Sequence, residues 1–170
     1  MPTTLIVIAF GLLAAAVLGG LAWRWRVRRT LPRPLVIDDE APEMKAARET
    51  ARKHIGDFVA LFREHPEDAL IKWAFTTPRG TREYLDAKVL AIEGDALRVR
   101  LVSPPMSAEV EIERDRVVPL SDVADWVVTL PNGKRRGGYT TRVRFDLAKE
   151  EWGGLPDELI DEEKKFTDAP

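Results

Sequence analysis

The spacing of hydrophobic and polar positions changes along the chain, and the first long stretch is hydrophobic throughout. From Leu5 to Ala22 there is no charged residue, and the apolar run extends to Trp23. A helix of these 19 residues rises about 28 Å, close to the bilayer's hydrocarbon thickness of about 30 Å. The pattern predicts one N-terminal transmembrane helix, with residues 1–29 forming an anchor and its basic flank.

A spacing of three and four residues follows from Glu43 to Glu64, after Pro42 and before Pro66. This spacing predicts an amphipathic helix with one apolar stripe. We interpret the stripe as a face that packs on its own domain, and a partner-binding helix is the alternative. The stripe consists of Met44, Ala47, Ala51, Ile55, Phe58, Val59 and Phe62.

Beyond Ala69 apolar and polar positions alternate, which is typical of strands. The Asn132-Gly133 pair favours a tight hairpin, a short turn capped by Ser121 precedes Trp126, and a helix is expected over 155–166. The fold class is therefore α+β, with the amphipathic helix packed on a small, strongly bent antiparallel sheet or half-open barrel and a short C-terminal helix. Strands are predicted over 70–77, 82–93, 97–102, 108–113, 126–130 and 139–147.

The domain organisation follows from these elements. Residues 30–42 form a Pro-rich acidic linker that contains the run Asp38-Asp39-Glu40. Residues 43–166 form one cytoplasmic α+β domain, and residues 167–170 a loose tail.

Charge determines the predicted orientation of the anchor. Four arginines follow the apolar run and no charged side chain precedes it, the reverse of the order in a cleaved signal peptide. Because cationic flanks stay on the cytoplasmic side, we expect a single-pass protein with its N-terminus out and its domain in the cytoplasm. The residues predicted at the membrane interface are Trp23, Arg24, Trp25, Arg26, Arg28 and Arg29.

The composition excludes several classes of partner and site. The chain has 26 Lys and Arg against 28 Asp and Glu, and without the four flanking arginines the remainder carries a net charge of 22 − 28 = −6. Nucleic-acid binding needs a basic footprint, so none is expected. Cysteine is absent, and the only histidines, His54 and His65, belong to no ligand-like cluster. We therefore predict neither a metal site nor a cofactor.

Residues 119–147, PLSDVADWVVTLPNGKRRGGYTTRVRFDL, resemble the C-terminal signature of the YegJ-like family, domain of unknown function 2314. The resemblance rests on Asp125-Trp126, the hairpin, Gly138-Tyr139-Thr140 and Arg142. Upstream, REYLDAKVLAIEGDALRVRLVSPP is similar to the family's central hairpin, and the family-like core spans 68–147. The resemblance implies a bacterial protein, hence an anchor in the inner (plasma) membrane, and it implies no reaction.

The candidate site surrounds this signature. On a strand over 139–147, Thr140 and Arg142 would share one face near Asp125, where a hydroxyl and a guanidinium can bind a carboxylate. The alternative is structural: Asp125 caps a turn and Arg142 pairs with acids on a neighbouring strand. We predict as binding residues Asp125, Arg135, Arg136, Tyr139, Thr140 and Arg142, and as structural residues Trp126 and Gly138.

The basic hairpin tip, GKRRGG over 133–138, is interpreted as a solvated surface. A phosphate site is disfavoured because no helix, whose amides would bind the anion, is predicted to follow it.

The expected function is a membrane-anchored binding or scaffolding module that contacts the lipid bilayer and a protein partner. One alternative is an immunity or inhibitor-like protein that blocks a partner at the membrane. A second is a small-substrate enzyme that uses Asp125 and Arg142, although no pair of carboxylates has a spacing that favours acid–base catalysis. Catalysis is the less favoured interpretation, and no catalytic residue is predicted.

Overall fold

The computed structural model describes residues 34–102, 104–105 and 112–168. The predicted membrane anchor and most of the predicted strand 108–113 lie outside these residues. Within the described ranges no helix combines the length and apolar character needed to cross a membrane. The chain divides into two units, and the second, from Val36 onward, is the one described below.

The second unit contains helices and strands in the described parts of the chain. The helices are α1 (Pro42–Lys53), α2 (Ile55–Glu64), α3 (Tyr139–Trp152) and α4 (Asp157–Glu163). The strands are β1 (Ala69–Thr76), β2 (Arg82–Glu93), β3 (Ala96–Leu101), β4 (Asp115–Pro119), β5 (Val123–Thr129) and β6 (Arg135–Gly137). Short 3-10 turns lie at Pro66–Asp68 and Leu120–Asp122.

The six strands form one antiparallel sheet in the order β4-β3-β2-β1-β5-β6. Strands β4 and β6 are its two ends and do not pair with each other, so the described sheet is open and does not close into a barrel. The α+β class is confirmed. The hairpin at Asn132-Gly133 is also confirmed, because β5 and β6 pair on either side of it.

One face of the sheet forms the core with α1 and α2. Ile71 and Trp73 of β1 are buried there, and Phe58 and Phe62 of α2 belong to the same apolar cluster. The indole N–H of Trp126 donates a hydrogen bond of 3.0 Å to the Ala51 carbonyl and ties α1 to β5. The amphipathic stripe therefore packs on its own domain, as we expected.

The single helix predicted over 43–64 is wrong in one respect, because the structure has two helices there. His54 lies between them with φ −100° and ψ 19°, outside helical geometry. Gly56, a residue of low helix propensity, follows in the first turn of α2. The ring of Tyr139 stacks on His54 with the ring centroids 5.6 Å apart.

A β-bulge at Leu90 changes the alternation of β2. Val89 pairs with Val99 and Ala91 with Arg98, so β2 has one residue more than β3 at this point. As a result Ile92 packs against the core, whereas Leu90 stays on the outer face and is 37% exposed. The strict alternation predicted for the strand over 82–93 is therefore wrong beyond the bulge.

The segment predicted as the last strand is helix α3. Its buried residues, Thr140, Phe145 and Ala148, follow a helical spacing, so the predicted strand faces are wrong. Threonine, valine and aromatic residues in the first half favour strands when considered alone. The helix ends at Trp152, and the next residue, Gly153, has a φ of +73°, which suits the residue that follows a helix.

Two smaller elements differ from prediction only in detail. A turn is present at Leu120–Asp122, but the Ser121 hydroxyl donates to the Asp122 carboxylate at 3.2 Å and does not cap it. The C-terminal helix is present as α4 and is shorter than the predicted 155–166.

Candidate functional site

Asp125 lies at the centre of the family signature and is 2% exposed. Its Oδ1 accepts hydrogen bonds from the backbone N–H groups of Trp126 (2.8 Å) and Tyr139 (3.2 Å). Its Oδ2 accepts from the N–H (2.8 Å) and the hydroxyl (2.6 Å) of Thr140. The first amides of a helix have no intrahelical partner, so this carboxylate from β5 caps α3.

The electrostatics of Asp125 reflect burial and hydrogen bonding together. Burial raises the pKa of this carboxyl above its ordinary value, and the hydrogen bonds, led by that of the Thr140 hydroxyl, oppose the rise. A carboxylate has about four acceptor positions, and Asp125 accepts four hydrogen bonds. The acceptor positions of Asp125 are therefore occupied by donors from its own chain.

Two glycines allow β5 and α3 to meet at this point. Gly137 has φ +81°, and a Cβ there would lie 2.2 Å from the Trp126 carbonyl oxygen. Gly138 has φ +67° and donates its N–H to the same carbonyl at 2.7 Å. We call Asp125-Trp126 together with Gly137-Gly138 the β5–α3 joint. Trp126 is 1% exposed and belongs to the apolar core.

The start of α3 gives a different reason why a phosphate site is disfavoured here. A helix does follow the basic hairpin tip, contrary to the prediction. Its first two amides, those of Tyr139 and Thr140, already bind the carboxylate of Asp125. The chain thus supplies its own anion at this helix N-terminus.

The predicted binding residues separate into two groups in the structure. Asp125 belongs to the buried joint and binds the buried Thr140, and the ring of Tyr139 packs edge-on against Trp126 with centroids 5.8 Å apart. The arginines instead face the C-terminal segment. Arg135 pairs with Glu162 at 2.7 Å and Arg142 with Asp168 at 2.5 Å, and Arg136 adds to the positive field around Asp168.

A groove of about 320 Å³ lies beside the joint, on the face of the sheet opposite the core. Strand alternation places Leu70 and Lys72 of β1 on this face. There Leu70 pairs with Lys88 of β2 and Lys72 pairs with Asp86. The Lys72 ammonium bonds the Asp86 carboxylate at 2.6 Å, and the Lys72 side chain is only 16% exposed. The apolar lining consists mainly of Leu70, Val102, Val127 and Phe166.

The sequence prediction missed most of this groove. Of the predicted binding residues, Asp125 and Arg135 contribute to its lining, and Tyr139 and Arg142 do not. The available signal was Leu70, an apolar residue on the face of β1 that alternation assigns to solvent. It is 43% exposed. Phe166 gave no comparable signal, because its position depends on how the C-terminal segment folds back.

Metal binding finds no support in this part of the chain. The described residues contain no group of three or more His, Asp or Glu side chains placed to hold a metal ion.

Comparison with known proteins identifies the family. Residues 41–152 match the family described as uncharacterized proteins conserved in bacteria, DUF2314. No curated protein and no solved structure matches the chain. The match is wider than the 68–147 core of the sequence resemblance and includes α1, α2 and all of α3. The predicted relation to domain 2314 is thereby confirmed, whereas the YegJ-like designation stays a prediction. This chain belongs to the DUF2314 family of uncharacterized bacterial proteins.

Proposed function

We propose that this protein is a binding module, tethered to the cytoplasmic face of the bacterial inner membrane, that holds an extended segment of a partner protein in the groove. The observation that carries the proposal is the groove itself. Its apolar side chains are accessible on a sheet face that also carries charged residues such as Lys72 and Asp86, and Leu70 and Val102 are 43% and 59% exposed. Accessible apolar groups collected in one groove are typical of a protein-binding surface.

The polar groups of the groove support a peptide ligand. The Lys72 ammonium has three donor hydrogens, and among the described residues its one hydrogen bond is to Asp86. Because Lys72 is largely buried, a peptide carbonyl that accepted from it would do so in partial exclusion from water, where a hydrogen bond is stronger. Apolar pockets and a few fixed donors together suit an extended chain.

The catalytic alternative gains no support from the geometry. Asp125 uses its oxygens to hold α3, and Arg142 donates to Asp168. An enzyme that used both would need them free to meet a substrate in one cleft. Each residue instead has a partner within the chain.

The tether is proposed from the sequence. The uncharged run from Leu5 to Ala22 and the arginines after it favour a membrane anchor with the domain in the cytoplasm. The linker 30–42 would span about 40 Å if extended at about 3.1 Å per residue. The groove would then reach partners in or near the membrane.

Photo-crosslinking from matched positions tests this function. A photoreactive residue is introduced in the full-length chain at Val102 in the groove, or at Val117 on β4, which is equally exposed (59% and 58%) but outside the groove. We expect a discrete protein adduct from Val102 that is several-fold weaker from Val117. The adduct should also weaken when Leu70→Arg fills the groove with charge. Equal adducts from both positions, or none from Val102, would refute the proposal.

A further inference from the structure

The C-terminal strap, which we define as residues 157–168, lies beyond the family match that ends at Trp152, yet it is seated on the family domain. The N–H of Arg135 in β6 donates to the Lys165 carbonyl at 2.7 Å. The N–H of Thr167 donates to the Arg135 carbonyl at 3.0 Å. These bonds form a parallel bridge between Arg135 and Phe166, so the strap extends the sheet beyond its last strand.

Phe166, the middle residue of this bridge, fills a slot at the β5–α3 joint. Its ring lies so close to Gly138 that a Cβ there would be 2.3 Å from Cε1 of the ring. The ring also meets Phe145 edge-on, with centroids 6.0 Å apart, and the Arg135 guanidinium lies 5.9 Å from its centroid. Because Phe166 also lines the groove, the slot and the groove are continuous.

Acidic side chains of the strap meet basic side chains of the domain. Arg135 pairs with Glu162, Lys149 with Glu163 and Arg142 with Asp168. All these side chains are at least 30% exposed to solvent, and exposed ion pairs contribute little each. The strap is thus complementary to the domain in shape and charge. Its ion pairs with the domain are weak enough for another acidic segment to replace them.

We propose that the strap occupies the domain's own peptide site, and that the partner segment is an acidic peptide with an aromatic residue and with an extended backbone around that residue. The partner would pair in parallel with Arg135 and place its aromatic ring in the slot against Gly138 and Phe145, after displacing the strap. This inference rests on the proposed function and names its ligand class. It is carried by the backbone bridge, the aromatic slot and the ion pairs, which are the elements of strand-addition recognition.

The connection within one chain determines how strongly the strap competes. A short linker gives an intramolecular ligand an effective concentration of about a millimolar, so a free peptide must compete against it. If the strap is closed about nine-tenths of the time, its release raises the apparent affinity for a free peptide about tenfold.

A fluorescent peptide with the sequence of residues 157–168, DELIDEEKKFTD, is the probe. It is titrated against the full-length chain in detergent micelles. We expect the Phe166→Ala chain to bind this peptide about tenfold more tightly than the wild type does, because its strap no longer fills the slot. The control variant Lys164→Ala removes a strap side chain that pairs with Asp161 of the strap, and it keeps the Lys164 carbonyl, which accepts from the Lys134 ammonium of the domain. This variant should bind as the wild type. A peptide with alanine in place of its phenylalanine should not bind either variant.

A second variant covers the case in which Phe166→Ala disturbs the fold, which the near-ultraviolet circular dichroism of the buried Trp126 would reveal. The double change Glu162→Gln with Asp168→Asn loosens the strap without altering its packing, and it too should bind the peptide more tightly than the wild type. If neither variant does so at peptide concentrations up to about a millimolar, the inference is overturned. The groove adduct at Val102 would then still report on the proposed function separately.

Discussion

At the scale of single residues, Asp125 shows how a carboxylate from a strand can cap a helix that begins 14 residues later. Its four hydrogen bonds join β5 to the first turn of α3. This attachment also positions the ring of Tyr139, which stacks on His54 and meets Trp126 edge-on. The residues of the family signature therefore have a structural explanation even where they were predicted to bind a ligand.

Asp125→Asn should destabilise the domain although it preserves size. One acceptor oxygen becomes an NH2 group that faces N–H donors, and a buried donor left without an acceptor costs about 1–3 kcal/mol. We expect a lower melting temperature for the full-length chain in detergent, followed by near-ultraviolet circular dichroism. Asp122→Asn, on the exposed turn before β5, is the control and should melt like the wild type. Equal melting of the two variants would show that the capping bonds do not contribute.

Alanine substitutions at two glycines can distinguish the energetic cost of backbone strain from that of a steric clash. Gly80 and Gly137 both have φ 81°, but a Cβ at Gly80 meets nothing within 4 Å and a Cβ at Gly137 meets the Trp126 carbonyl at 2.2 Å. Gly80→Ala should cost about 1–2 kcal/mol from the left-handed conformation alone. Gly137→Ala should cost clearly more, because the joint must open to admit the methyl group. Denaturant unfolding of both variants measures the difference, and similar free energies of unfolding would contradict the close contact.

At the scale of elements, prediction succeeded where a segment's environment is uniform along its length. The stripe of α1 and α2 and the alternation of β1 arise from one buried face each, and period alone identifies them. The bulge at Leu90 could not be predicted, because it depends on how β2 meets β3. Helix α3 could not be distinguished from a strand by its first residues, since Asp125 and Trp126 determine where it starts.

The strap should loosen in acid. The hydrogen bond from Arg142 lowers the pKa of Asp168. The pKa of Glu162 is lowered most by Lys165, which is part of the strap, and also by Arg135 of the domain, and only the bond to Arg135 depends on attachment. A carboxyl whose pKa is lowered in the attached state contributes to attachment above its ordinary pKa, about 3.9 for Asp and about 4.3 for Glu. That contribution is lost as the pH falls through the lowered values. We expect faster hydrogen exchange at the Thr167 amide, after correction for intrinsic rates, as the pH falls below about 4.

The amide of Val128 in β5, which pairs with a strand on each side, is the control for this measurement, because it reports opening of the sheet. Its corrected exchange should stay constant while that of Thr167 rises. A parallel rise at both amides would mean that the domain unfolds as a whole, and an unchanged Thr167 would show that the ion pairs do not hold the strap.

At the scale of the whole molecule, the predicted anchor gives the chain an orientation that can be measured. Arginines after the span and no charge before it favour an outside N-terminus and an inside domain. A reporter fused after Pro170 should be active only if it is of the cytoplasmic type. Replacing the four flanking arginines with glutamine should reduce this bias, as the physical reason for the orientation is then removed. Periplasmic alkaline phosphatase activity from the unaltered fusion would reverse the predicted topology.

The sequence by itself determined the α+β class, the inward packing of the amphipathic stripe, the early strands, the hairpin at Asn132-Gly133 and the relation to DUF2314. These features depend on local periodicity, turn chemistry and short motifs, which neighbouring residues encode directly. Only the tertiary structure decided that Asp125 caps a helix, that Leu70 and Val102 share a groove, and that Phe166 folds back onto Gly138. Each of these contacts joins residues far apart in the chain, and the energy that selects it comes from burial and hydrogen bonds that exist only once the sheet has formed.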